Sequence, residues 1–312
     1  MRGCTPEENA LNGFINLYKS DDMTSSDAVC IVRGIMSKAS GVRQKVGHLG
    51  TLDPLAEGVL PIAVGKATRL FDLLAFKRKK YLATFVFGVQ TDTLDRGGKT
   101  VYCGGRIPTA EEIESVLPSF VGKINQIPPT YSSKSVNGKR AYEYARKGQQ
   151  VELAPKSVEI YSLRATNRQE KPCADGTDDT IGEYSFEIEC GGGTYIRAIA
   201  RDMAEKLGTY AYMSSLRRLS SGDFYCNSAV TLDVLRNAEN PTDYLIPTEF
   251  ALRGLPRRTI PSEQLFRLLN GVPVRDDTDE SSDALFTVFS EDNVLQGIGS
   301  TENGTVKLKI RL

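Results

Sequence analysis

The sequence predicts an α+β protein: a central, mainly antiparallel sheet flanked by helices, then a small β-rich unit at the C-terminus. Three observations carry this. Alternating, β-branched and aromatic segments at 81–87 and 184–190 are joined by hairpins and occasional helices, without strict strand–helix–strand alternation. After Pro241 and Pro247 the pattern shifts to a helix over 262–269 and short strands over 285–289, 294–298 and 306–312. The 312 residues are 40% hydrophobic and 25% charged, which supplies a large core and excludes a mostly disordered or fibrous chain. The boundary is expected near residue 250, giving units 1–250 and 251–312.

Each element has its own signal. Thr24-Ser25-Ser26-Asp27 is an N-cap before the helical spacing of Val29, Ile31, Val32, Ile35 and Met36. Residues 47–58 are punctuated by glycine and contain Asp53-Pro54, which predicts a loop. The apolar run 59–64 suits a buried strand, 67–76 reads as helix, and 81–87 as a strand. Thr109-Ala110-Glu111-Glu112 forms a capping box for a helix ending near Gly122. Asn137-Gly138 predicts a hairpin turn and 141–147 a short helix. Strands follow at 158–164 and 184–190, with the polar stretch 167–182 as an exposed loop. Gly191-Gly192-Gly193 opens a helix over 194–207 that Gly208 stops. There is no internal repeat.

Composition narrows function. The longest apolar runs, such as 58–65, fall far short of the roughly 20 residues of a membrane span. The start Met1-Arg2-Gly3-Cys4 has no apolar segment of the secretory kind, so a cytoplasmic protein is expected. Six scattered cysteines without C-x-x-C, and a single histidine, predict buried thiols and no metal site. The 39 basic and 39 acidic residues cancel, but unevenly. Residues 276–306 hold eight acids and no base, so the remainder carries +8. Residues 66–80 hold six bases against Asp72, and 134–147 five against Glu143. Such clusters are solvated faces or an electrostatic footprint for RNA.

The densest segment is 47–61, an acidic side chain on a glycine-rich loop entering a buried strand. Two glycines allow close backbone approach to a ligand. Pro54 favours an extended Asp53, aiming its carboxylate away from the chain. The same dipeptide also suits an aspartate that merely caps a turn. The residues alone leave both readings open.

Gly47-His48-Leu49-Gly50-Thr51-Leu52-Asp53-Pro54-Leu55-Ala56-Glu57-Gly58-Val59-Leu60 resembles the signature of the tRNA pseudouridine synthase B (TruB) family, G-H-x-G-T-L-D-P-x-A-x-G-V-L. Further blocks follow in family order: Gly65-Lys66-Ala67-Thr68-Arg69-Leu70, Lys80-Tyr81-x-Ala83, and Gly88-x-x-Thr91-Asp92-Thr93-x-Asp95. Then come Pro128-Pro129-x-Tyr131-Ser132-x-Lys134, Gly138-x-Arg140-Ala141-Tyr142, Gly193-Thr194-Tyr195-Ile196-Arg197 and Leu216-Arg217-Arg218. The resemblance spans roughly residues 12 to 225.

It implies the pseudouridine synthase fold and isomerisation of a T-loop uridine, position 55 of tRNA, to pseudouridine. No atom is gained or lost, so no cofactor is expected. The expected partner is the T arm of tRNA and the expected state a monomer. Asp53 matches the family's catalytic aspartate. Arg197 matches the arginine that pairs with it, in two-pronged geometry. Tyr81 matches the tyrosine that stacks on the target uracil. Tyr195 and Leu216 match pocket residues, and His48 a ring that stacks under bases turned out of the loop. Lys66, Arg69, Lys79, Lys80, Lys134, Arg140, Arg217 and Arg218 are candidates for phosphate contact.

The chain departs from the pattern in places. A family D-K-P-x-G-x-T-S stretch reads Tyr18-Lys19-Ser20-Asp21-Asp22-Met23-Thr24-Ser25 here, and Leu49 and Glu57 replace residues more often threonine or serine. The C-terminal unit resembles a PUA-type RNA-binding module, yet its acidic stretch lacks the bases for RNA. The alternatives are a guide-RNA-dependent synthase of the same superfamily, which the 60–66 version of the strand disfavours, and a non-catalytic tRNA-folding factor.

Overall fold

The computed structural model describes residues 10–74, 77–132, 134–136, 138–145, 147–149, 151–172, 180–275 and 284–312. Phe76, Asn137, Arg146, the middle of the polar stretch at 173–179, and the first five acids of the acidic run, within 276–283, lie outside these residues, as does the Arg140 side chain.

The large sheet begins with β1 (Gly13–Lys19), buried on both faces and carrying buried Asn16 and Lys19 among its apolar residues. Helix α1 (Ser25–Ser40) follows. The N-cap read in the sequence proves to be a full capping box: Asp27 N–H donates to Thr24 Oγ1 at 3.0 Å, and Thr24 N–H donates to Asp27 Oδ2 at 3.1 Å. The buried stripe Ala28, Val29, Val32 and Met36 joins Ile15, Leu17, Leu60 and Ile62 in the main core. The chain returns through β2 (Val46–His48), the loop at 49–56, and β3 (Glu57–Val64). Then come β4 (Lys79–Phe87), α2 (Ala110–Val116), β5 (Gly122–Gln126), β6 (Lys156–Pro172), β7 (Thr180–Cys190), α3 (Ile196–Lys206) and β8 (Ala211–Ser221). Across the sheet the order is the short strand Val230–Thr231, then β1, β3, β8, β4, β7, β6, β5. Only the Val230–Thr231/β1 and β8/β3 junctions on this path are parallel.

Register places the functional strands side by side. On β4, Tyr81 sits opposite Arg218 of β8 and Ile188 of β7. On β8, Leu216 sits opposite Ala83. Gly58 has φ 106°, and a Cβ there would lie 2.3 Å from the Arg218 carbonyl oxygen. Glycine is therefore required for β3 to approach β8, which is an internal packing reason rather than a ligand reason.

Several expectations change. Residues 65–70 form a 3₁₀ turn, and among the described residues of the expected helix 71–74 are α-helical. The helix after Thr109 stops at Val116 and continues as a 3₁₀ turn to Phe120. Much of the polar stretch expected as loop is strand, since β6 runs to Pro172 and β7 starts at Thr180. Backbone ladders pair polar residues as well as apolar ones, so polarity alone did not mark these arms. Neither β1 nor β8 was anticipated.

The C-terminal helix α4 (Ser262–Leu269) falls where its periodicity placed it. Strands β9 (Leu285–Phe289), β10 (Leu295–Glu302) and β11 (Thr305–Arg311) form a five-stranded sheet with Arg257–Thr259 and Val274–Arg275. This small sheet has a core of its own around Leu268, Phe286 and Val288. A second cluster joins it to the large sheet: Phe14, Leu49, Val59 and Leu252 pack with Ile298, Leu295, Ile310 and Leu312. Among the described residues no helix is long and apolar enough to cross a membrane.

Candidate functional site

The loop at 49–56 is held from below by buried cations. Lys19 is 0% exposed, and its ammonium donates to the carbonyls of Ser20, Met23 and Pro54 at 2.8, 2.7 and 3.0 Å. Burial pushes its pKa down to about 8. Arg218, also 0% exposed, donates to the carbonyls of Val59 at 2.6 Å and Gly50 at 3.1 Å, with a longer contact to Thr51. A third support is neutral: Ser25 Oγ both donates to Leu52 O and accepts from Leu52 N–H at 2.9 Å. The carbonyls of a tight loop would otherwise go unpaired once buried.

On this support Asp53 opens a turn closed by Ala56 N–H donating to its carbonyl at 3.0 Å. Its side chain keeps 35% exposure. Facing it is Arg197, 7% exposed, from the first turn of α3; Nε lies 2.9 Å from Asp53 Oδ2. The other nitrogens are already committed. Nη1 donates to Thr93 O at 2.9 Å and lies 3.2 Å from Asp95 Oδ2, while Nη2 donates to Tyr131 O at 3.0 Å. The expected two-pronged grip on Asp53 is thus replaced by one prong, because the guanidinium fork is shared with Asp95 and two carbonyls. A guanidinium fixed at every nitrogen holds the carboxylate in one orientation.

Two tyrosines lie near enough to Asp53 to feel its charge. Tyr81 is 6% exposed, and burial pushes its hydroxyl up to about 12, so it stays protonated at neutral pH. Tyr195 is half-buried, its pKa raised chiefly by burial, with Asp53 and Arg197 both close enough to act on it. Leu216 is buried on β8 beside them. His48 ends β2, two residues before Gly50; burial, then the Arg218 charge, lower its pKa and favour the neutral ring. Its Nδ1 is buried with no hydrogen-bond partner.

The candidate phosphate contacts divide. Lys66 and Arg69 are exposed on the 65–70 turn, Arg69 also donating to Arg311 O at 2.7 Å. Lys134 is half-buried. Lys80 is half-buried and pairs with Glu187 at 2.9 Å, and Arg217 pairs with Glu57. Arg218 and Lys79 revise the expectation. Arg218 is sealed beneath the loop, and Lys79 is 6% exposed with its pKa lowered to about 8 by burial and Arg218. Both sit at inward positions of their strands, where phosphate does not reach.

Sequence reasoning passed over Lys19 and Asp95 as site residues, although each stood inside a quoted block. The fully buried Gln126 gave no signal at all.

A model described as TruB family pseudouridylate synthase (N terminal domain) matches residues 38–196, and one described as tRNA pseudouridylate synthase B C-terminal domain matches 197–253. The tRNA pseudouridine synthase B of Clostridium kluyveri is 36% identical over 96% of this chain and 98% of its own. That of a Caulobacter species (strain K31) is 40% identical over 84% of this chain and 81% of its own. A chain from an H/ACA RNP bound to a substrate RNA superposes with a TM-score of 0.68, over 99% of this chain and 87% of that one. At 22% identity that likeness speaks for the fold.

Proposed function

We propose, for a chain that belongs to the TruB family and isomerises uridine to pseudouridine in tRNA, that the reaction takes place where Asp53 faces Arg197 and that its target is uridine 55 of the T loop. The observation that carries this is a half-open carboxylate gripped at 2.9 Å by a buried, fully committed arginine. The reaction breaks the bond from the ribose to uracil N1, turns the base, and joins the same ribose carbon to C5; the C5 proton leaves and N1 gains one. Every step occurs at the base–sugar junction, which needs an ionised carboxylate in a pocket that excludes most water.

The residues divide the work. Asp53 serves the junction and Arg197 holds it still. Tyr81 offers a flat face for the uracil, and its retained proton makes the ring a neutral platform. Tyr195 and Leu216 close the pocket. His48, uncharged, fills space left by bases turned out of the loop; stacking there is worth about 1–3 kcal/mol per base, against an unstacking cost of a few kcal/mol. Lys66, Arg69, Lys80, Lys134, Arg140 and Arg217 meet phosphate along the T arm. Catalysis rests in residues 1–250 of a cytoplasmic monomer, with 251–312 as its flank.

The test is to incubate the purified protein alone with unmodified tRNA transcript and map pseudouridine. The expected product is pseudouridine at position 55, absent when that uridine is replaced by cytidine. Modification elsewhere only, or a requirement for a guide RNA, would overturn the assignment.

A further inference from the structure

Helix α3 carries Arg197 on its first turn, and its N-cap residue Tyr195 has no side-chain cap. The backbone of Tyr195 itself is held by a side chain from a strand. Gln126, the last residue of β5, is 0% exposed. Its Oε1 accepts from Tyr195 N–H at 3.0 Å, and its Nε2 donates to Tyr195 O at 3.3 Å. One amide thus pairs with both polar groups of a single residue, as a rung of a β-ladder would. The orientation of the amide is fixed by this match, since exchanging O and N would oppose two donors and two acceptors. Gln126 is itself set by β6, where it lies opposite Lys156. The two residues after Tyr195 begin the helix, so φ and ψ at Tyr195 decide where its ring points.

We propose that Gln126 is a positioning residue for the isomerisation, acting through the Tyr195 backbone to hold the Tyr195 ring beside Asp53. The inference rests on the functional reading above. The hydrogen bonds of the Gln126 side chain go to neither Asp53 nor Arg197. Arg197 has anchors of its own in Thr93, Tyr131 and Asp95. Both hydrogen bonds of the Gln126 side chain go to the Tyr195 backbone. A buried glutamine at the end of a strand serves the fold only if its loss is felt as lost stability. A positioning residue is felt in the chemical step.

The experiment is a double-variant cycle on full-length protein, with tRNA affinity and single-turnover pseudouridine formation measured separately. Gln126→Met keeps length and loses both hydrogen bonds; Gln126→Glu keeps the acceptor for Tyr195 N–H. Gln126→Met should slow the single-turnover rate at least about tenfold while affinity stays within about twofold. Gln126→Glu, which keeps one of the two hydrogen bonds, should fall between it and wild type. In a Tyr195→Leu background, either Gln126 change should slow the rate less than about twofold further. Full multiplication of the two effects, or a wild-type rate for folded Gln126→Met or Gln126→Glu, overturns the inference. Asp53→Asn, run alongside, keeps the questions apart: wild-type turnover by that variant defeats the functional reading, and only the cycle defeats the role of Gln126.

Discussion

Beneath the loop at 49–56 the protein buries its cations, while on the small C-terminal sheet it keeps them at the surface. Lys19, Arg197 and Arg218 have little or no exposure, and most of their hydrogen bonds go to backbone carbonyls. Lys307 and Lys309 both lie against Glu302, holding its carboxyl at about 2, and Arg257 and Arg258 stack over Phe289 and Phe286. The same residue types thus do different work. A buried cation that satisfies carbonyls fixes a loop, because an unpaired buried carbonyl is costly. A surface cation paired with a neighbour contributes little and is screened by salt. Arg217 and Arg218 show both uses one residue apart, since successive strand residues face opposite sides.

The contrast breaks most sharply at Arg197. Arg197→Met leaves Asp53 and Asp95 without their shared cation, so pseudouridine formation should fall by more than about a hundredfold. tRNA affinity should change far less, because Arg197 faces the protein rather than solvent. Quantitative pseudouridine mapping beside filter binding checks both. Equal losses of affinity and rate would place Arg197 among the binding residues instead.

The buried cations should also shape stability against pH. Lys19 titrates at about 8 when folded, below the ordinary lysine value of 10.5, so above pH 8 the unfolded chain binds more protons. Its desolvation penalty is complete below pH 8 and is relieved as pH rises towards 10.5. Lys79 acts in the same direction. Tyr81 opposes it only near and above pH 10, where the unfolded tyrosine ionises and the folded one does not. Urea unfolding between about pH 7 and 9.5 should show that Lys19→Met flattens this component of the pH dependence. An identical slope in the variant would mean that Lys19 is not the buried charge described.

The smallest effect separates the two surfaces. Lys66→Gln and Arg69→Gln should each reduce the log–log salt slope of tRNA binding by about 0.7–0.9. Lys307→Gln and Lys309→Gln should reduce it much less, since both ammonium groups are drawn to Glu302. Point variants serve better here than removal of residues 251–312, which would strip Ile298 and Ile310 from a cluster shared with Phe14 and Leu49. An equally lowered slope for Lys307→Gln would show that the small sheet grips phosphate after all.

The sequence made some of this legible and hid the rest for physical reasons. The N-cap at Thr24 and the capping box at Thr109 were readable because hydrogen bonds local to the chain decide them. The pairing of Asp53 with Arg197 came from resemblance; nothing local to either residue announces a partner on a distant helix. Arg218 and Lys79 looked like surface bases because the side of the sheet each faces is set by register, and β8 itself carried no clear alternation. Gln126 stayed invisible because its role depends on a backbone that only the folded chain brings near.

The central claim is that Asp53, presented by the buried-cation loop and steadied by Arg197, does the chemistry. The direct measurement is single-turnover pseudouridine formation at position 55 by Asp53→Asn, with tRNA affinity measured on the same preparation. The account predicts affinity within a few-fold of wild type and no detectable pseudouridine. Pseudouridine formed at a near wild-type rate by that variant would contradict it.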